Sequence, residues 1–223
     1  MIRAAVFMFL TLLPVPARAC DLALVLAVDV SGSVDSREYR IQMQGLAAAL
    51  RDGMVIEALV AAEAMVTLIQ WTGSSRQRQT LPWQAMRTDA DVEGFAAEIY
   101  ANKRVWRNYS TAIGEALVVA EDALEAVPQC RRKVIDVSGD GISNEGILPT
   151  KRHPSLGAKG IVVNALAIET DDEDLTAWFY ENLIWGEGAF VITANGFEDY
   201  PEQIRRKLQR ETTRQISRLH VRR

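Results

Sequence analysis

Two runs of strand length, the apolar residues 22–28 and the nearly continuous apolar residues 161–168, constrain this chain more than anything else in it, and residues 64–71 read as a further strand. A strand that is apolar at consecutive positions has no face to give to water, so it must be covered on both sides. The segments between these runs carry helical spacing instead. Tyr39, Met43, Leu46 and Leu50 recur on one face of residues 36–51, behind Asp35 or Ser36 as a cap and ahead of Gly53 as a stop. Residues 89–100 repeat the pattern. So do residues 110–126, which start at Ser110 or Thr111, align Ile113, Leu117, Ala120 and Leu124, and end before Pro128. Further on come a strand at 133–138, a helix at 171–183, a strand at 189–193 and a closing helix from 197. Strands alternating with helices imply an α/β fold, doubly wound, with a mainly parallel central sheet, helices on both faces and right-handed crossovers. Residues 78–83 read as one short antiparallel edge strand, limited by Pro82. Residues 54–63 are apolar and ambiguous, and "ILPTKRHPSLGAKG" has two prolines, so its crossover should be short or irregular.

The ends of the chain bound where it works. Arg3, the apolar residues 4–13, Pro14, Pro16 and the A-x-A sequence Ala17-Arg18-Ala19 have the layout of a secretory signal peptide over residues 1–19. An apolar core of about ten residues is short for a spanning helix, so no transmembrane segment is expected in the mature chain. Residues 20–223 then form a single domain with a basic C-terminal helix, secreted or periplasmic. A lipid anchor on Cys20 is a rival, made awkward by Arg18 two residues earlier. The two cysteines, Cys20 and Cys130, lie nine and ten residues before Asp29 and Asp140, each ahead of a strand. If those strands are parallel neighbours, the cysteines meet at one rim of the sheet and bridge, which would stabilise the chain by ~4 kcal/mol in the chain-entropy model. Formal net charge is −4, yet residues 205–223 hold Arg205, Arg206, Lys207, Arg210, Arg214, Arg218, Arg222 and Arg223 against Glu211 alone. The rest of the body is therefore acidic, which argues against nucleic acid as a partner. The basic tail reads as a solvated helix face, with contact to an anionic membrane surface as the lesser reading.

"DVSGSV", residues 29–34, ends the first apolar run and leads into a helix. Four chemistries suit such a turn. A serine nucleophile needs a base, normally histidine, and the chain has only His153 before a proline and His220 in the basic tail, with no G-x-S-x-G elbow. A phosphate cradle needs a glycine-rich loop with lysine, and "SGS" has one glycine and no lysine. A helix cap accounts for part of the pattern whatever else holds. A metal site gains from elsewhere in the chain. Asp29, Ser31 and Ser33 alternate as D-x-S-x-S, Thr111 lies in "STAIGEAL", and Asp140 follows a strand in "DVSGDG". All are hard oxygen donors at the same expected sheet edge. Hydroxyls with carboxylates acting through water suit Mg2+, with Mn2+ or Ca2+ as alternatives.

"VDVSGSV", "STAIGEAL" and "DVSGDGISNEG" resemble the three pieces of the metal-ion-dependent adhesion site of von Willebrand factor type A (VWA) domains. Helix and strand order agree with that family over nearly the whole mature chain. "IQWTGSS" and "GAFVITANGFEDYPEQIRRKL" are similar to a branch of secreted bacterial proteins with no assigned function. The third piece departs from the usual Thr-Asp-Gly, reading Ser138-Gly139-Asp140-Gly141, and Ser110 stands where glycine is common, so Ser110 is a fallback ligand. The resemblance implies a Rossmann-like VWA fold in which Ser31, Ser33 and Thr111 coordinate the ion while Asp29 and Asp140 hold its waters. It implies a binding module rather than an enzyme, with an Asp or Glu of a protein partner completing the coordination. A metal-assisted phosphoesterase or hydrolase on the same scaffold is the alternative. Trp71, Thr72, Trp106, Arg107, Tyr109, Asn144 and Glu145 are expected on loops around the site and form the candidate partner-binding rim, with Trp71, which ends a strand, read as half-buried core before rim. Asp35 reads as a cap, and Asp171, Asp172, Glu173 and Asp174 as acids favouring a helix start.

Overall fold

The computed structural model describes residues 20–170 and 174–220, with side chains as far as Thr212. The expected signal peptide at 1–19, the acids Asp171, Asp172 and Glu173, and the side chains of Arg214, Arg218, His220, Arg222 and Arg223 lie outside the described residues.

β1 (Leu22–Asp29) is buried at every position. Its side chains divide by alternation: Leu22, Leu24, Leu26 and Val28 enter one core, and Ala23, Val25 and Ala27 the other. The strand can be apolar throughout because it has a neighbour on each edge and helices on each face. It pairs in parallel with β2 (Met65–Trp71) and with β4 (Arg132–Gly139). β5 (Ile161–Ile168) and β6 (Val191–Ala194) extend the sheet in parallel, and β3 (Gln77–Ala85) closes the other edge antiparallel, giving the order β3-β2-β1-β4-β5-β6. β3 is longer than the short strand expected, because Pro82 falls where the register with β2 shifts between Val66 and Leu68. A bulge there spares the ladder the N–H that proline lacks.

α1 (Ser36–Leu50) begins at Asp35, whose carboxylate accepts from Arg37 and Glu38 N–H while Glu38 reaches back to the Asp35 N–H. The ambiguous segment is α2 (Gly53–Ala61), capped by Asp52; Gly53 opens this helix as well as following the last. α3 (Asp89–Ala101) has a second capping box, Thr88 with Asp91. α4 (Ile113–Leu124) starts later than expected, and neither Ser110 nor Thr111 caps it. The broken crossover is a 3-10 turn (Pro149–Arg152) followed by α5 (His153–Ala158). α6 (Leu175–Asn182) is shorter than its expected range, with Asp174 accepting from Ala177 N–H. α7 (Tyr200–His220) closes the fold. α1, α2, α3 and α7 contribute to the first core, and α4, α5 and α6 to the second.

Cys20 and Cys130 form a disulfide across 110 residues, at the rim where β1 and β4 begin. The Cys20 sulfur is therefore engaged, which overturns the lipid-anchor alternative. α7 departs from a solvated basic face at one position. Lys207 is fully buried; its ammonium pairs with Asp136 of β4 and lies 3.0 Å from Glu211, one turn on. Asn164 of β5 donates to the same Glu211 oxygen at 2.8 Å.

Candidate functional site

β1 and β4 are adjacent and parallel, and the chain leaves β1 toward β2 and later β4 toward β5 on the opposite side. The crevice beyond their carboxyl ends is thus the switch point of the sheet, where ligands bind in open α/β folds. Asp29 is the last residue of β1, and Asp140 follows the last residue of β4.

Asp29 is fully buried. Its Oδ1 accepts from the Ser31 N–H at 2.6 Å, which bends the chain into a tight turn and sets Ser31 over the strand end. Its Oδ2 is also buried and has no hydrogen-bond partner. Ser31 Oγ lies 3.1 Å from Ser33 Oγ, and Ser33 Oγ donates to Asp140 Oδ1 at 2.6 Å. The first and third pieces of the motif therefore touch, across 107 residues of sequence. Burial pushes the Asp29 carboxyl well above the usual carboxylate range, and the Asp140 charge adds to it. Two carboxylates and two hydroxyls thus share a small space.

Gly139 makes this possible. A methyl group there would stand 3.0 Å from Asp29 Oδ2 and 3.3 Å from the Trp71 ring. The extra small residue before Asp140 is thus the packing surface for Asp29.

Thr111 joins from the second piece. Its N–H donates to Asn144 Oδ1 at 2.9 Å, and its carbonyl accepts from the Asn144 N–H at 2.9 Å. Thr111 Oγ1 faces Gly141, whose added methyl would lie 3.8 Å away. Being outside α4, Thr111 keeps its hydroxyl free of capping duty. Gly114, three residues on, sits where any Cβ would overlap the Ile147 carbonyl, so the start of α4 and the loop after β4 can approach only through a glycine. Gly114→Ala should cost about 1–3 kcal/mol by overpacking; a thermal melt checks it, and an unchanged melting temperature would contradict this packing role.

The candidate rim residues divide. Trp71 and Thr72 are fully buried, so neither offers a side chain to a partner. Trp71 packs in the second core and backs Gly139, and Thr72 Oγ1 donates to the Ser110 carbonyl at 3.0 Å. Their neighbours in sequence are loop residues, but β2 carries Trp71 to its end inside the sheet. Trp106 is half-buried, whereas Arg107, Tyr109, Asn144 and Glu145 are exposed. Arg76 stacks over the Tyr109 ring at 3.8 Å, and Arg78 lies 5.3 Å above Trp106. Glu145 accepts from Ser110 Oγ and from the Ser74 N–H, and these bonds hold its carboxyl below the usual range. Ser110, the fallback ligand, is committed to that strut.

Sequence reasoning missed Arg104 and Gln70. Arg104 Nη2 donates to the carbonyls of Val30 at 3.0 Å and Ser31 at 2.8 Å, holding the turn from behind. Gln70, buried in β2, fixes the loop that carries it: its side chain donates to Asn102 Oδ1 and the Lys103 carbonyl and accepts from the Val105 N–H. A buried glutamine inside an apolar strand was the available signal. Gln42 Nε2 adds a 3.3 Å bond to the Asp29 carbonyl.

The donors present are three hydroxyls and two carboxylates. They fit a hard divalent cation held partly through water, and an oxygen set of this kind leaves an ion electrophilic. Among the described residues, no cluster of three or more His, Cys, Asp or Glu could hold an ion, so any metal here depends on serine and threonine. No histidine among the described side chains stands beside Ser31 or Ser33: His153 stacks on Trp185 at 4.4 Å, and Trp185 bridges to Val163 in the first half of β5.

Known proteins bear on this geometry. A family described as "Protein of unknown function (DUF1194)" matches residues 19–216. No curated protein sequence matches the chain. Among solved structures, proximal thread matrix protein 1 from the mussel byssus is similar with a TM-score of 0.60 at 16% identity, covering 85% of this chain and 47% of that one. The same protein with a zinc-occupied MIDAS (metal-ion-dependent adhesion site) motif gives 0.61 at 16% identity, over 86% and 48%. A von Willebrand factor type A protein from Catenulispora acidiphila gives 0.57 at 17% identity, over 85% and 42%. This chain spans about half the length of these structures, and the likeness is one of fold.

Proposed function

Since the chain belongs to the DUF1194 family and carries a VWA fold, we propose that it binds a divalent cation, Mg2+ first and Mn2+ or Ca2+ as alternatives, and through it an Asp or Glu of a protein partner. The observation that carries this reading is the buried, unpartnered Asp29 Oδ2 set among Ser31, Ser33 and Asp140. A buried carboxylate oxygen without a partner is costly, and a cation or its water removes the cost. Ser31, Ser33 and Thr111 would hold the ion, with Asp29 and Asp140 acting through water. The ion supplies an electrophilic position that a carboxylate fills. The zinc-occupied motif of the mussel protein supports cation binding on this fold.

Binding is preferred to hydrolysis because the carboxylate beside the hydroxyls, Asp140 against Ser33, is one that an ion-holding set would use, and no histidine among the described side chains stands there. The domain is proposed to work outside the cytoplasm. Its disulfide and the signal-like residues 1–19 support that placement. Among the described residues, no helix is long and apolar enough to cross a membrane.

A thermal melt with and without Mg2+, joined to an assay of generic carboxylic and phosphoric esters, tests the reading. At a hundred times the dissociation constant, Mg2+ should stabilise the wild type by about 2.7 kcal/mol, roughly 5–10 °C. Asp29→Ala and Ser31→Ala should lose that shift. Asp29→Asn should also ignore Mg2+, since it removes the carboxylate that would hold the ion's water. Metal-dependent ester cleavage lost in both alanine variants would favour the hydrolase, and no shift at millimolar Mg2+ would leave the site without a ligand.

A further inference from the structure

A cleft of about 360 Å³ opens beside the candidate ion site, and its charged lining is wholly cationic: Arg40 of α1, then Lys103, Arg104 and Arg107 of the loop after α3. Arg40, Lys103 and Arg107 are exposed, and none forms an ion pair with a described residue. The acids nearest to Arg40 in sequence, Glu38 and Asp35, are committed to the α1 cap: Asp35 accepts from the first N–H groups of the helix, and Glu38 accepts from the Asp35 N–H. Arg104 spends Nη2 on the Val30 and Ser31 carbonyls, while its Nε is buried without a hydrogen-bond partner. Burial, and then the neighbouring Arg107 charge, weaken its hold on its proton. Four cations thus converge on a cleft with no carboxylate in its lining; the acids that bear on them, Asp29 and Asp140 on Arg104 and Asp35 on Arg40, belong to the ion site and to the α1 cap.

The cleft is not remote from the ion site. Arg104 bonds the carbonyl of Ser31, whose hydroxyl is a proposed ligand, at 2.8 Å. Arg104 thus borders both, so a short segment can meet both; two residues of extended chain put successive side chains of one face roughly 7 Å apart. Arginine forks match carboxylates in geometry as well as charge.

We infer that the partner presents two acidic residues on one extended segment, the first meeting the ion and the second entering the Arg40–Lys103–Arg104–Arg107 cleft. This rests on the ion-binding reading above. It adds what that reading does not state: a lone Asp or Glu in a neutral loop is a poor partner, and an acidic pair at positions i and i+2 is the preferred one.

The test uses labelled synthetic peptides of equal length on a Gly/Ser background, followed by fluorescence anisotropy with the full folded chain in Mg2+. One peptide carries a single Asp, one carries Asp at i and i+2, and one carries two Asp ten residues apart to match net charge. The close pair should bind about tenfold more tightly than the other two, the worth of one charge-assisted contact. Arg40→Gln with Arg107→Gln should bring the close pair down to the level of the single acid, with the Mg2+-induced thermal shift kept as proof of fold and ion. Equal affinity for the three peptides overturns the inference, as does a preference that survives in the double variant or in chelator. So does an absence of binding by all three while Mg2+ still raises the melting temperature. Loss of the Mg2+ shift itself would instead sink the ion-binding reading.

Discussion

Lys207→Met should cost the folded chain about 3–5 kcal/mol, a fall in melting temperature of roughly 6–20 °C for a domain of this size. Lys207 is fully buried between Asp136 and Glu211, and each acid also has a second oxygen without a hydrogen-bond partner. Methionine keeps the shape of the side chain but leaves the buried acids Asp136 and Glu211 side by side with no cation between them. The effect should therefore exceed that of losing any exposed pair on α7, such as Arg206 with Glu202. The same cluster predicts a pH response. Burial, then the charge of Glu211, pushes the Asp136 carboxyl up to about 8 against the pull of Lys207. The folded chain thus holds a proton that an unfolded Asp136 releases near pH 4. Its contribution to stability is complete below about pH 4 and is lost as pH rises toward about 8. Between pH 6 and pH 9 the wild type should lose stability relative to Asp136→Asn, which has no proton to give up there. Parallel melting curves for the two across that range would contradict the assignment.

Replacing Cys20 and Cys130 by serine should cost ~4 kcal/mol, roughly 8–16 °C in melting temperature. The bridge closes a loop of 110 residues that includes β1, β2, β3 and the helices between them and β4. Untied, all of that chain gains freedom when unfolded. Because the bridge lies at the rim where β1 and β4 begin, and Asp29 and Asp140 at the rim where they end, the Mg2+-induced shift should survive in the double variant. A reductant should reproduce the destabilisation in the wild type. A melting temperature unchanged by both treatments would show that the bridge does not constrain the chain.

Much of the fold was legible because burial writes itself into composition. β1 is covered on both faces, so its apolar run had one structural meaning. Asp35 and Glu38 announced the start of α1 through their spacing, and Asp140 was readable from the polar turn closing β4. What stayed hidden depends on which side chain reaches which partner across the sheet. Trp71, at the end of a strand, reads as packing before partner contact, and β2 does carry it inside the core to its last position; Thr72 looks like a loop residue yet is fully buried. Lys207 sits in a basic run and turns inward only because Asp136 waits in β4, 71 residues earlier in sequence. Arg104 has no pattern around it, and its role appears only when Gln70 fixes its loop behind the Ser31 turn. The start of α4 was placed too early, since serine and threonine usually cap, and here Thr111 is held by Asn144 instead.

The central claim is that Ser31, Ser33, Thr111, Asp29 and Asp140 together bind one divalent ion. Mn2+ counted by electron paramagnetic resonance tests it most directly, because free and bound ion are distinguished without any partner or assay. The account predicts one bound Mn2+ per chain, displaced by Mg2+, and none in a folded Ser31→Ala, Asp140→Asn variant. No bound ion in the wild type, or one that persists in that variant, would contradict it.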